Sequence, residues 1–316
     1  MSLNEFDIIQ QYFSKITTPR NDVMTGIGDD CALLVPEPGK ILAVSTDTLV
    51  AGRHFLADVD PASLGHKCLA VNLSDLAAMG AEPCWVSLAL TLPDVDENWL
   101  KKFTRGFAQL AEKHGLQLVG GDTTRGPLTI TITVHGQVEA DAALTRSGAR
   151  SGDLICVTGK LGEAALVLKK LLDGDAVDED ARLALERPQP RVATGVALKG
   201  LATACIDISD GLLADLGHIC SASKLKAELE KVAVPGSEAT LNHEILLDFA
   251  LTGGDDYELC FTVPEKFKDR LPEIAQQTEV SISVIGRMTE GQGIEIFDEN
   301  GTRMDMPEQQ GYMHFS

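Results

Sequence analysis

Aspartate recurs in this chain beside glycine, serine or threonine at points where neither a helix nor a strand calls for it. Six clusters share that form: Gly26-Ile-Gly-Asp-Asp30, Ser45-Thr-Asp47, Ser74-Asp75, Gly121-Asp122-Thr-Thr-Arg125, Asp207-Ile-Ser-Asp210 and Gly253-Gly-Asp-Asp-Tyr-Glu258. Magnesium prefers oxygen ligands, keeps several waters, and takes one or two carboxylates together with substrate phosphates. Single aspartates on separate segments suit that chemistry better than one compact cage. Flanking hydroxyls add ligands or donate to phosphate oxygens, and the glycines let main-chain N–H groups approach a polyphosphate. Any one cluster is ordinary turn chemistry; six together point to a metal site. Ser74-Asp75 carries extra weight because it interrupts an apolar helical run, where a lone buried carboxylate costs several kcal/mol unless paired or metal-bound.

Other chemistries lack their residues. There is no G-x-x-x-x-G-K-[ST] loop, and Thr158-Gly-Lys-Leu-Gly162 reads as a plain strand-to-helix turn. Neither a protein-kinase motif set nor a G-x-S-x-G elbow occurs, and Cys31 has no evident activating base. Seven cysteines, none in a C-x-x-C arrangement, argue against zinc and against a disulfide scaffold, and for reduced thiols. What remains is phosphoryl transfer by positioning and charge neutralisation. Arg146 and Arg125 are the cations best placed to meet phosphate, and His54, just past Ser45-Thr-Asp47, is a hydrogen-bonding candidate.

The net charge of −20, from 47 acidic and 27 basic side chains, repels nucleic acid and anionic lipid. No apolar run approaches the ~20 residues of a membrane span, and Met1–Asp7 is unlike a signal peptide, so a cytoplasmic protein is expected.

The elements that must position these residues alternate between helix and strand. Strands are expected at Ile41–Asp47, Cys84–Leu92, Leu116–Val119 and Leu128–Val134, with helices from Pro61 to Gly80 and Glu97 to His114. Asp60-Pro61 is a helix start, cap residue followed by proline. A polar, Gly-containing stretch at Asp141–Asp153 is the candidate boundary, giving domains 1–140 and 141–316, each α/β or α+β. Beyond it, strands are expected at Leu154–Thr158, Ala204–Ile208 and Glu258–Val263, and a helix over Glu265–Gln277.

GIGDDCA (26–32), STDTLVAGRHF (45–55), AVNLSDLAAMGAEP (70–83), GGDTTRG (120–126), LTRSGA (144–149), IDISDGLLADLGHI (206–219) and GGDDYELCFTVP (253–264) together resemble the bacterial thiamine-monophosphate kinases. The resemblance spans nearly the whole chain. It implies the superfamily of aminoimidazole ribonucleotide synthetase: an N-terminal mixed sheet with helices, a C-terminal α/β sandwich, and a homodimer joined through the N-terminal sheets. It implies ATP and thiamine monophosphate as substrates and several Mg2+ ions. By motif, Asp30, Ser45, Thr46, Asp47, Asp75, Asp122 and Asp207 would ligate magnesium, with Asp210 holding a further ion. Gly121, Asp122, Arg146 and Ser209 would contact ATP, and His54, Asp255 and Tyr312 the thiamine moiety. Two positions depart from that pattern. Arg105 stands where some relatives place a nucleotide-contacting tyrosine, and Asp255 where many have glutamate, which shortens the reach and keeps the charge.

Overall fold

The computed structural model describes residues 4–236, 243–307 and 311–312. The chain divides into two compact units, Met1–Leu76 with Ala81–Asp141, and Ala77–Gly80 with Ala142–Ser316.

The first unit opens on α1 (Glu5–Ile8) and a π-helical turn, then β1 (Val23–Thr25) and β2 (Leu33–Leu34), which pair antiparallel. Next come β3 (Lys40–Val50), α2 (Pro61–Ala78), β4 (Glu82–Leu92), α3 (Glu97–Lys113), β5 (Gln117–Arg125) and β6 (Thr129–Glu139). The four long strands form one sheet in the order β3-β6-β4-β5, antiparallel except for the β4–β5 pair. In β6 the alternation visible in the sequence sorts the faces: Ile130, Ile132 and Val134 are buried, while Thr131 and Thr133 stand on the other side. Asp60 caps α2, its Oδ1 accepting from the Ala62 N–H at 2.9 Å. That helix is buried at every residue from Ala62 to Ala78 with one exception, Asp75.

Strand β5 runs well past the expected Leu116–Val119. Parallel pairing with β4 draws the glycines and Asp122 into the sheet, Gly121 opposite Leu88 and Asp122 opposite Ala89.

In the second unit, β7 (Leu154–Thr158), α4 (Glu163–Asp173), α5 (Glu179–Glu186), α6 (Val192–Ala197), β8 (Ala204–Asp207), α7 (Leu212–Ser223), β9 (Lys226–Glu230), α8 (His243–Thr252), β10 (Leu259–Val263), α9 (Leu271–Thr278), β11 (Ile282–Thr289) and β12 (Gly293–Phe297) follow in turn. The sheet order is β12-β9-β11-β7-β10-β8, with only β12–β9 parallel. Strands β7, β8 and β10 are buried at every residue, the mark of a sheet covered on both faces. Leu212, Leu216 and Ile219 of α7 close over Ile155, Val157 and Ile206. Glu265–Arg270 forms a 3-10 turn ahead of α9, where a single helix was expected. Of the seven cysteines, all free, only Cys31 is exposed. Among the described residues no helix is long and apolar enough to cross a membrane.

His114 caps the end of α3 with its Nε2 buried and without a hydrogen-bond partner. Burial, then the charges of Lys113 and His66, lower its pKa to about 4. The unfolded chain takes up this proton near pH 6.5, the folded one only near 4, so stability is full above 6.5 and falls as pH drops between them. Denaturant midpoints of wild type and His114→Gln from pH 8 to 4.5 should diverge in favour of the variant below about pH 6.5. Parallel curves would show that His114 is not the source.

Candidate active site

In the first unit the site is built where β3 passes α2. Ser45 and Asp47 are two apart on β3 and so share a face. Across from them, Asp75 is the one half-exposed residue on its stretch of α2. The Ser45 hydroxyl donates to Asp75 Oδ2. Asp47 and Asp75 lie within hydrogen-bonding reach, and burial, followed by the Asp75 charge, pushes the Asp47 carboxyl up to about 6. One turn before Asp75, buried Asn72 ties the two elements: its Oδ1 accepts the Asp47 N–H at 3.1 Å and its Nδ2 donates to the Cys68 carbonyl at 3.0 Å. Two carboxylates and a hydroxyl, fixed from behind, suit a hard divalent cation.

Thr46 faces the other way. Its hydroxyl shares a 2.8 Å hydrogen bond with that of Thr133 on the opposite face of the sheet. Asp122 stands on β5, at the edge opposite β3; three strand spacings of about 4.8 Å put the two strands roughly 14 Å apart. Its Oδ1 accepts the Thr123 N–H at 2.9 Å. Beside it Gly121 adopts φ +152, and a Cβ there would meet the Leu88 carbonyl oxygen at 1.8 Å, so only glycine lets β5 lie this close to β4. The turn carrying exposed Asp29 and Asp30 begins at Gly26, next to the Val119 carbonyl of β5. The first unit therefore holds the Asp47–Asp75 pair, and, apart from it, Asp122 on β5 and the exposed Asp29-Asp30 turn, whose Gly26 approaches the Val119 carbonyl of the same strand.

His54 sits in the turn after β3, where its Nδ1 accepts the Val50 N–H at 3.0 Å. In the neutral ring this leaves the proton on Nε2, as a donor. Arg125 Nε donates to the Pro93 carbonyl at 3.2 Å.

In the second unit Asp207 ends β8 and Ser209-Asp210 follow in the turn to α7. Asp207 is 6% exposed, whereas Ser209 and Asp210 are half-buried. Exposed Arg146 belongs to a loop anchored to β8 by the Cys205 N–H, which donates to the Thr145 carbonyl at 2.9 Å. Asp255 adopts φ +69 and Tyr257 φ +51, both unusual for residues other than glycine and typical of functional loops. The Tyr257 hydroxyl donates to Asp255 Oδ1 at 3.0 Å. Tyr312 is 46% exposed, and its N–H donates to the Asp210 carbonyl at 3.1 Å.

The densest acidic cluster separates into roles. Asp256 turns inward and takes the Gly162 N–H on both oxygens, at 2.9 and 3.0 Å. Glu258 is buried, pairs with Arg191 and accepts from Thr158 Oγ1 at 2.5 Å. These two are structural, and Asp255 is the presented member.

Asn72, Asp215 and Tyr257 escaped the sequence reading as site residues. Asp215 is 3% exposed, and its Oδ2 accepts from the N–H groups of Ser209, Asp210 and Gly211 at 3.0, 3.0 and 3.2 Å. Burial pushes its carboxyl up to about 6 against the pull of those donors. A carboxylate in the first turn of a helix, straight after a Ser-Asp-Gly turn, was the available signal.

Among the described residues no group of three or more His, Cys, Asp or Glu side chains is gathered closely enough to hold a metal by itself.

Comparison with known proteins gives the family. Residues 28–138 match the family model "AIR synthase related protein, N-terminal domain", and residues 150–299 its C-terminal counterpart. The thiamine-monophosphate kinase of Salmonella typhimurium is 49% identical, over all of this chain and 99% of that protein. The crystal structure of thiamine-monophosphate kinase from Stenotrophomonas maltophilia K279a superposes with a TM-score of 0.88 at 44% identity, covering 96% of this chain and 99% of that one. A structure of AaThiL complexed with AMPPCP and TMP superposes at 0.77 with 30% identity and 89% of each chain. With presented aspartates in both units and full-length similarity to these relatives, the chain belongs to the thiamine-monophosphate kinases of the AIR synthase related family.

Proposed function

We propose that this chain transfers the γ-phosphoryl group of ATP in line to the phosphate of thiamine monophosphate, giving thiamine diphosphate and ADP, with magnesium held by its aspartates. The observation that carries the metal part is the Asp47–Asp75 pair. Like charges this close repel, which raises the Asp47 carboxyl and favours either a shared proton or a bound cation; with the family's nucleotide chemistry, the cation is the reading we adopt. The nucleotide and acceptor follow from the family, including a relative described in complex with AMPPCP and TMP.

Asp47, Asp75 and the Ser45 hydroxyl are assigned to one part of the metal set, and Asp30 and Asp122 to another. Thr46, its hydroxyl committed to Thr133, takes part through its main chain. In the second unit Asp207 and Asp210 supply further carboxylates. Magnesium, when bound, screens the repulsion between the attacking phosphate and ATP and stabilises the charge passing to the leaving diphosphate. The acceptor oxygen is largely ionised at neutral pH, so no side chain has to remove a proton, and none acts as a covalent nucleophile. Gly121, lacking a side chain, lets the main chain lie against the nucleotide. Arg146 and the Ser209 hydroxyl donate to phosphate oxygens. The His54 Nε2–H, the Asp255 carboxylate and the Tyr312 ring hold thiamine, whose ring cation Asp255 complements.

A homodimer through the first-unit sheets is part of the proposal. It rests on β3, an eleven-residue edge strand on which Ile41, Leu42 and Val44 are 46, 47 and 56% exposed. An apolar edge of that length invites a second copy. We place the reaction in the cytoplasm, in keeping with seven unbridged cysteines.

The decisive assay incubates the protein with ATP, Mg2+ and thiamine monophosphate; ADP and thiamine diphosphate should appear in equal amounts, and absence of both at saturating Mg2+ would overturn the assignment. Asp47→Asn should lower turnover by orders of magnitude, yet raise the metal-free melting temperature at pH 7.5 by about 2 °C or more, because it removes one of two repelling charges. A variant that melts lower and turns over normally contradicts the role given to the pair. Light scattering should find a dimer for the wild type and a monomer for Val44→Glu; a monomeric wild type at micromolar concentration would refute the interface.

A further inference from the structure

The turn Ser209-Asp210-Gly211 is a junction. Its carbonyls hold the two segments assigned above to thiamine: the Ser209 carbonyl accepts the Asp255 N–H at 2.9 Å, and the Asp210 carbonyl accepts the Tyr312 N–H at 3.1 Å. The neighbouring Ile208 carbonyl accepts the Tyr257 N–H at 2.8 Å. Contact is close enough that a Cβ on Gly254 would meet the Ser209 carbonyl oxygen at 2.4 Å. The Ser209 and Asp210 side chains, by contrast, are those assigned above to the nucleotide and metal. One turn of main chain thus carries residues of both substrates, and its own conformation is fixed from the other side by Asp215, whose Oδ2 gathers its three consecutive N–H groups.

We infer that Asp215 is a positioning residue that sets the nucleotide-metal side and the thiamine side of the site together through this turn. The three N–H groups point to one oxygen, so the turn has a single orientation while that oxygen is present. Without it, three adjacent main-chain donors lose their acceptor, and the turn loses its restraint on that side and can tilt. Tilting displaces the Ser209 and Asp210 side chains directly. It displaces Asp255 and Tyr312 as well, because the carbonyls they hang from turn with the peptide planes.

This inference rests on the assignment of Ser209 and Asp210 to ATP and metal and of Asp255 and Tyr312 to thiamine. Initial-rate kinetics on the purified full chain, with folding checked by circular dichroism, separate the two. In Asp215→Ala the KM values for ATP and for thiamine monophosphate should rise together, each by about tenfold or more, the usual cost of losing a buried partner behind a ligand. Asp215→Asn keeps an oxygen acceptor but not the charge, and charge-assisted bonds are roughly twice as strong as neutral ones; a parallel rise of about two- to fivefold is expected. A folded Ala variant with both KM values unchanged, or with only one raised, overturns the inference. If the Ala variant does not fold, the Asn variant decides by the same criterion. Asp210→Asn is the control on the underlying assignment: if it leaves Mg2+ and ATP dependence unaltered, that assignment has failed, whereas an impaired Asp210→Asn beside an unimpaired Asp215→Ala defeats only the coupling.

Discussion

Two carboxylates held side by side and largely out of water repel each other, and the folded chain tolerates that repulsion between Asp47 and Asp75 because the surrounding elements leave them no other place. Asp75 is the single break in a helix buried along the rest of its length, so it can face only β3. Asp47 shares a strand face with Ser45, and Asn72 fastens its main chain to the helix. The neighbouring hydroxyl and amide set distances and directions; neither cancels charge. An energetic deficit is thereby stored at the pair to which we assign a cation, and α2 and β3 serve to hold it.

The second unit manages its carboxylates differently. Asp256, Glu258 and Asp215 are each answered by donors or a guanidinium: Asp256 fixes the main chain at the start of α4, Asp215 that of the turn before α7, and Glu258 holds the Thr158 hydroxyl at the end of β7 together with Arg191. Asp210 and Asp255, close to them in the sequence, are half-exposed, while Asp207 at the end of β8 is itself buried. Neighbours in the chain alternate between building the loop and being displayed by it. The left-handed backbone at Asp255 and Tyr257 belongs to this arrangement, since it points one carboxylate outward while its successor turns in.

Much of this was legible beforehand. The β6 alternation, the Asp60-Pro61 helix start and the buried run of α2 broken at Asp75 are patterns of period and capping, which local chemistry dictates. Gly120-Gly121-Asp122 was harder. Its composition is that of a turn, and only pairing with β4, remote in sequence, keeps it extended. The same limit hid Asp215: a carboxylate five residues past Asp210 looks like a helix-dipole partner until the fold shows three N–H groups converging on it. Thr46 illustrates the converse, since period two places it away from its neighbours Ser45 and Asp47, and a motif string does not say which side of a strand each letter occupies.

The distribution of thiols has a practical corollary. Six of the seven cysteines are buried, most within the two sheets and their covering helices, and Cys31 alone is open to solvent, directly after Asp30. A bulky maleimide therefore meets a single accessible sulfur on the native chain, without any background substitution. The attached dye or spin label would sit beside an acidic turn, where its spectrum registers local ordering as ligands arrive. The natural sequence thus carries its own labelling site for following the first unit in solution.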